Sequence, residues 1–176
     1  MTLAMERDRV AASTTAGLDT WLLLQQTYLL AYKAVEQALT RVGVSHAQAS
    51  VLLALKRAGE PLPLSRLARV LVQEAQSVTS LVDRLESRGL VRRVPDRRDR
   101  RVIHVELTDQ GEQAFIDVLP AATRGAEAAF AWLDADASAR LRELLTAVRA
   151  CSAGALAIEL SGLSARVEEE PRLPAE

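Results

Sequence analysis

Apolar side chains recur every three or four positions along most of the chain, which is the spacing of helices that bury one face. The longest such stretch, residues 18–43, places its apolar side chains at Trp21, Leu24, Tyr28, Tyr32, Val35, Leu39 and Val42. The same spacing predicts five further helices, near residues 47–59, 64–71, 75–88, 109–131 and 135–152. The chain is therefore expected to be mainly α-helical.

The pattern changes to strict alternation between the fourth and fifth predicted helices. In "VIHVEL", residues 102–107, the side chains of Ile103, Val105 and Leu107 share one face of an extended strand. "LVRRV", residues 90–94, supplies a partner strand, and the residues between form a turn. Two short helices followed directly by a hairpin predict a winged helix-turn-helix lobe. The expected fold class is mainly α with a small β-hairpin.

Positive charge is concentrated on this predicted hairpin, although the whole chain has a net charge of only −1. Residues 84–101 contain eight arginines and three acidic residues. Charge runs often do no more than solvate a turn, but clustered arginines repel one another, so stability alone gives no reason to keep them. The fourth helix also carries small polar residues that would let its backbone approach a DNA groove. Together these features favour double-stranded DNA as a partner.

Other functional classes have little support in the sequence. The chain has one cysteine, Cys151, so an internal disulfide framework is excluded. The charged N-terminal residues and the lack of an 18-residue apolar run predict a cytoplasmic protein with no membrane partner. His46 and His104 have no partners at metal-ligand spacing, and no phosphate-binding loop or nucleophile motif occurs. We therefore expect no enzyme activity, no cofactor and no metal.

A block of specific residues spans the fourth helix, the hairpin and the start of the fifth helix. It contains "RLESRGLV" and then, at set distances, Asp99, Arg101, Leu107, Thr108 and Gly111. With "GVSHAQASVLLAL" at residues 43–55, this block resembles the MarR family of bacterial transcription regulators. The resemblance covers about residues 18–152 and implies a homodimeric winged-helix protein that binds DNA.

The resemblance also implies roles for individual residues. Asp99 and Arg101 would pair to shape the wing, which is the hairpin beside the recognition helix. The residues expected to contact DNA are Gln76, Ser77, Thr79, Ser80 and Arg84 in the fourth helix and Arg97, Arg98 and Arg100 at the wing tip. Small polar residues occur on any exposed helix face, so the serines and the threonine have an ordinary alternative role there.

The expected organisation is one regulator domain between two extensions. Residues 1–16 are predicted to be a flexible N-terminal extension and residues 153–176 a C-terminal tail. Within residues 17–152, the DNA-binding lobe would span about residues 44–107. Dimerisation helices would occupy about residues 17–43 and 108–152, and the sixth helix is expected to turn Leu141, Leu144, Leu145 and Val148 inward.

A small-molecule effector is a further expectation. Aromatic side chains on the first helix could pack in the core or at a dimer contact, or they could line a pocket for a small lipophilic or phenolic effector. The candidate pocket residues are Gln25, Tyr28, Tyr32, His46 and Ala49. Ala49 stands where the family commonly has a large aromatic residue, so the pocket would be wider in this chain.

The function indicated is sequence-specific transcription regulation. The protein would be a ligand-responsive repressor that binds a pseudo-palindromic operator as a homodimer. One alternative is a regulator that senses oxidants through Cys151, although the role expected for that residue is a small buried apolar side chain. The other alternative is a winged-helix interaction module that does not bind DNA specifically.

Overall fold

A computed structural model describes residues 2–96 and 98–156, with side chains from residue 16 onward. In chain order its elements are α1 (Thr2–Thr40), α2 (His46–Ala58), β1 (Leu62–Pro63), α3 (Leu64–Leu71), α4 (Ala75–Ser87), β2 (Val91–Pro95), β3 (Ile103–Leu107), α5 (Asp109–Phe130) and α6 (Ala135–Ala155). The expected fold class, mainly α with a small hairpin, is confirmed. None of the helices in these ranges has an apolar segment long enough to cross a membrane.

The first helix begins well before its apolar pattern does. The backbone is helical from Thr2, so α1 includes most of the segment expected to be a flexible extension. At the other end, α6 ends at Ala155, and the predicted tail from residue 157 onward lies outside the described residues. The extensions proposed at residues 1–16 and 153–176 therefore stay predictions.

The described chain forms two compact units. The helical unit consists of the residues up to His46 together with Val118–Ala131 of α5. Its buried apolar side chains include Leu39, Val44, Val118 and Ala121. Gly125 allows a close helix contact in this unit, because a Cβ added there would lie 2.6 Å from the Cα of Val35. The backbones of α1 and α5 therefore touch at this point.

The winged unit comprises Ala47–Asp117 and the residues from Trp132 onward. Its antiparallel sheet has the order β1-β3-β2, with Arg92 opposite Glu106 and Leu62 opposite Val105. The short strand β1 was not predicted from the pattern, because two residues are too few to show alternation. The core under the sheet is formed by Val51, Leu52, Leu62, Leu67, Val78, Val82, Leu85, Val91 and Val105.

A tight turn joins α3 to α4. Val72 ends α3 with φ 51°, in the left-handed region, and its N–H donates to the carbonyl of Arg69 at 3.1 Å. A β-branched residue is rarely found in that conformation, so the turn holds Val72 against its local preference. At the end of α4 the same left-handed conformation falls on Gly89, with φ 69°, where it carries no such cost.

Candidate nucleic-acid interface

The fourth helix, α4, separates its side chains cleanly into two faces. Its apolar residues Val78, Leu81, Val82 and Leu85 are all buried. The candidate DNA-contacting residues lie on the opposite arc, where Gln76, Ser77, Thr79 and Arg84 are exposed and Ser80 is half-buried. This division follows from helical periodicity, because buried positions three and four apart leave the remaining arc to solvent. The structure thus gathers all five residues on one accessible face.

The first turn of α4 keeps donors available for an anion. Glu74 occupies the N-cap position, but its side chain makes no capping hydrogen bond. The N–H groups at a helix start carry partial positive charge and suit a phosphate. The hydroxyls of Thr79 and Ser80 instead donate to carbonyls of their own helix, at 2.8 Å to Ala75 and 3.1 Å to Gln76. These two side chains therefore present mainly acceptor oxygens to a partner.

Two aspartates shape the turn of the wing. The Oδ1 atom of Asp96 accepts hydrogen bonds from the backbone N–H groups of Arg98 at 2.7 Å and Asp99 at 2.9 Å. Asp99 in turn accepts from the backbone N–H of Arg101 and from its guanidinium, each at 3.1 Å. The structure therefore forms the expected pair of Asp99 and Arg101, with Asp96 as a second anchor that the sequence analysis did not assign.

The wing aspartates are held in their charged form. Hydrogen bonds from the backbone of Asp99 and Arg98 lower the pKa of Asp96. The guanidinium of Arg101, followed by its backbone N–H, lowers the pKa of Asp99. Hydrogen-bond donors stabilise a carboxylate relative to a carboxylic acid, so the side chains of Asp96 and Asp99 stay charged at neutral pH. The Arg101 side chain itself is 90% exposed, so the ion pair is open to solvent.

Some arginines of the wing and α4 form ion pairs with carboxylates of the same chain, and others do not. Arg92 pairs with Glu106 across the hairpin, and Arg101 pairs with Asp99. None of the ion pairs among the described residues involves Arg84, Arg98 or Arg100, and all three side chains are exposed. These three guanidiniums are therefore available for phosphates. Arg97, the remaining candidate at the tip, lies outside the described residues.

Arg93 has a role that the sequence analysis missed. Its guanidinium forms ion pairs with Asp83 and Glu86 of α4, and its backbone N–H donates to Glu86 at 3.1 Å. Burial opposes the charge of Arg93, but the hydrogen bonds and charges of the two carboxylates outweigh it and raise the pKa. The sequence shows that Asp83 and Glu86 lie three positions apart on the polar face of one helix, so they could share a cation. It does not show that this cation is Arg93 on a neighbouring strand.

The junction between the wing and α5 explains the motif of Thr108 and Gly111. The Thr108 hydroxyl donates to the carbonyl of Gly89 and accepts from the N–H of Gly111 at 3.0 Å, so it also caps α5. A Cβ at Gly111 would lie 1.9 Å from the carbonyl oxygen of Leu90. Only glycine allows the first turn of α5 to approach the end of α4 this closely.

Three of the candidate effector residues form an aromatic cluster in the helical unit. The ring centroids of Tyr28 and Tyr32 are 6.0 Å apart, and those of Tyr32 and His46 are 4.4 Å apart. Burial, opposed by the charge of Glu36, lowers the pKa of His46, which favours its neutral ring. Of the other two candidates, Gln25 is exposed on α1, whereas Ala49 is buried in the winged unit.

Exposed large apolar side chains are most numerous on α1 and α6. On α1 the exposed residues are Leu18, Trp21, Leu22, Leu23, Tyr28, Leu29 and Leu30. On α6, Leu144, Leu145 and Val148 are exposed, so the expectation that they face inward is wrong for the single chain. Apolar patches of this kind mark contacts with another surface.

The cysteine and the histidines do not form a reactive group in the described part of the chain. Cys151 is exposed on α6, so the expectation of a small buried side chain is wrong. Exposure alone does not activate a thiol, which also needs a neighbour that stabilises the thiolate. No three histidine, cysteine, aspartate or glutamate side chains are grouped as metal ligands among the residues the structure describes.

Comparison with known sequences points to one family. A family model for the MarR family matches residues 42–102. The HTH-type transcriptional repressor MdtR of Bacillus subtilis (strain 168) is 36% identical over 101 residues, which cover 57% of this chain and 64% of MdtR. The transcriptional activatory protein BadR of Rhodopseudomonas palustris is 32% identical over 119 residues, covering 63% of this chain and 68% of BadR. The chain thus spans slightly under two thirds of MdtR.

Comparison with solved structures gives the same result. CouR from Rhodococcus jostii RHA1, solved with p-coumaroyl-CoA, aligns with a TM-score of 0.67 and 25% identity, covering 74% of this chain and 91% of CouR. A mutant MarR from E. coli in complex with operator DNA aligns with a TM-score of 0.67 and 26% identity, covering 72% of this chain and 90% of MarR.

The helix-turn-helix of α3 and α4, joined to a three-stranded sheet with an arginine-rich turn, defines a winged helix-turn-helix protein. The sequence matches narrow this class further. The chain belongs to the MarR family.

Proposed function

We propose that the protein is a sequence-specific DNA-binding transcription regulator rather than an enzyme. One observation carries this: α4 exposes a continuous polar face beside a wing whose Arg98 and Arg100 side chains are exposed and form no ion pair among the described residues. In this account the N-terminal part of α4 enters the major groove, and the wing arginines bind neighbouring phosphates. A structural neighbour, a mutant MarR from E. coli, was solved in complex with operator DNA, which supports a DNA-binding role. Contact with chromosomal DNA places the protein in the cytoplasm.

We propose further that two copies form the active species. The exposed apolar residues of α1 and α6, among them Trp21, Leu30 and Leu144, provide the kind of surface that obligate homodimers bury. A twofold dimer presents two copies of α4, which fit half-sites about one helical turn apart. The operator is therefore expected to be pseudo-palindromic.

The regulator is proposed to respond to a small lipophilic or phenolic effector. Tyr28, Tyr32 and His46 offer aromatic faces, and the lowered pKa of His46 keeps its ring neutral and suited to an uncharged aromatic ligand. CouR, a structural neighbour, was solved with p-coumaroyl-CoA, an aromatic acyl ligand. Binding would shift the dimer between conformations with different spacing of the two α4 helices.

Repression is the proposed outcome of DNA binding. MdtR, at 36% identity, is named a repressor, whereas BadR, at 32%, is named an activatory protein. A protein that occupies a promoter represses without needing any further contact. Activation would require a surface that engages the transcription machinery.

The test is DNA binding by the full chain at several salt concentrations. A duplex is first selected by the native protein from a random-sequence library and labelled for fluorescence anisotropy. The proposal expects binding that survives excess random duplex and weakens steeply as salt rises. Equal, weak binding to selected and random duplexes would overturn it.

A charge variant links this binding to the wing. Arg98→Ala with Arg100→Ala removes four guanidiniums per dimer, which should reduce the slope of log affinity against log salt by about 3 to 4. The matched control is Arg140→Ala with Arg142→Ala, which removes the same charge from α6. An unchanged slope for the wing variant would show that the wing does not contact phosphates.

A further inference from the structure

The helix proposed to enter DNA carries two acidic residues of its own. Asp83 and Glu86 lie on α4, with side chains 59% and 38% exposed. Asp83 stands directly beside Arg84, one of the candidate phosphate contacts. Carboxylates at this position repel a phosphate backbone through like-charge interaction unless something compensates them. The proposed interface therefore needs a cation that belongs to the protein.

Arg93 supplies that cation from the neighbouring strand. Its Nη2 atom lies 2.7 Å from a carboxylate oxygen of Asp83, and its Nη1 atom pairs with Glu86. Nη2 also lies 3.4 Å from the carbonyl oxygen of Thr79, one turn earlier on α4. One planar guanidinium thus bridges three points along the helix, which the single ammonium of a lysine could not do.

Arg93 differs in this from the arginines around it. Its side chain is only 24% exposed, against 67% for Arg92 on the same strand. Arg92 pairs with Glu106 inside the hairpin and forms no ion pair with a described residue of α4. Among the described residues, neither Arg98 nor Arg100 forms an ion pair with the acidic residues of α4. Among the residues that the structure describes, only Arg93 therefore both cancels charge on α4 and ties the wing to it.

We infer that Arg93 is a positioning residue of the DNA interface: it neutralises Asp83 and Glu86 and fixes the wing strand β2 to α4. The inference rests on the proposed DNA-binding function. In this account the arginine cluster has two tasks. Arg98 and Arg100 bind phosphates. Arg93 reduces the repulsion between the carboxylates of α4 and the DNA phosphates, and it sets the angle between α4 and the wing.

The test is a rescue experiment in the full chain. Arg93→Ala should weaken binding to the selected duplex about tenfold or more, because the carboxylates of Asp83 and Glu86 lose their counter-charge. Adding Asp83→Asn and Glu86→Gln to that variant removes the exposed negative charge, and affinity should recover by at least about threefold, although the link from β2 to α4 stays broken. Arg93→Lys should fall between, because an ammonium cannot hold both carboxylates in one geometry.

Two controls separate this role from plain folding. Arg92→Ala removes one positive charge from the same strand and should weaken binding by less than about threefold, with no rescue by the helix substitutions. Thermal unfolding is measured for every variant, and the triple variant supplies the comparison if Arg93→Ala unfolds.

The outcomes distinguish the inference from the proposed function. If the native chain selects no duplex, the proposed function fails. If it selects one, but Arg93→Ala binds like the native chain or the triple variant stays as weak as Arg93→Ala, the inference alone is overturned. Recovery of affinity in the folded triple variant supports it.

Discussion

Two helices of this protein, α4 and α1, show opposite relations between sequence and solvent. In α4 every apolar residue of the periodic stripe is buried, and the polar residues face outward. In α1 the stripe is just as regular, yet Trp21 and Tyr28 on it are exposed, as are Leu23 and Leu30 outside it. Burial of apolar area is the main favourable term in folding, so a helix that leaves this much uncovered is incomplete in the single chain.

The difference between α4 and α1 shows that apolar periodicity predicts a face that will be buried but does not identify the surface that covers it. The core of the winged unit completes α4 within one chain. By the same reasoning, we expect a second molecule to cover α1, and we have proposed that it is a second copy of this chain. The two helices should therefore respond differently to substitution and to protein concentration.

The largest effect should come from a cavity under α4. Leu85→Ala removes a fully buried side chain, and we expect it to lower the free energy of unfolding by about 2–5 kcal/mol. Urea denaturation measures this, and the loss should be similar at low and high protein concentration. A loss that vanished at high concentration would mean that α4, too, depends on a partner.

Substitutions on the exposed apolar face of α1 should weaken the association of two chains. Leu23→Glu with Leu30→Glu places charges on residues that are 65% and 69% exposed, so the helix content should be kept. Because a dimer would bury these charges, they should raise the dissociation constant of the dimer at least about 100-fold. Circular dichroism and light scattering measure the two effects. The matched control, Gln37→Glu, adds charge to α1 away from the patch, and dissociation caused by it as well would contradict a specific surface.

Two glycines should give opposite effects within the winged unit. Gly111→Ala is expected to cost about 2–3 kcal/mol of stability, because its Cβ would lie 1.9 Å from the carbonyl oxygen of Leu90. Gly154→Ala on α6 meets nothing within 4 Å and should stabilise by about 0.5–1 kcal/mol through helix propensity. Equal unfolding midpoints for the two variants would disprove the close approach of α5 to the end of α4.

The smallest effect should be a pH dependence in the helical unit. Burial lowers the pKa of His46, so the unfolded chain binds a proton more readily, and this contribution to stability is lost as pH falls below about 6.5. The melting temperature should drop by about 1–3 °C more in the native protein than in His46→Gln between pH 7.5 and 5.5. Identical pH profiles for the native protein and His46→Gln would contradict this.

The fold was largely readable from the sequence, because helix periods, terminating glycines and one alternating strand each have a local signature. The site was readable only in part. The pairing of Asp99 with Arg101 is local and was expected, whereas the bridge from Arg93 to Asp83 and Glu86 joins a strand to a helix and depends on tertiary packing. Burial of Leu144 and Cys151 was misjudged because periodicity cannot show whether the covering surface belongs to the same chain.

The most direct test of the account is sedimentation velocity of the native full chain, alone and with a labelled selected duplex. A dimer at micromolar concentration that binds the duplex as two chains per DNA molecule would fit a winged lobe complete in each chain and an α1 surface completed by a second copy. A chain that remains monomeric, and that binds DNA one copy at a time, would contradict it.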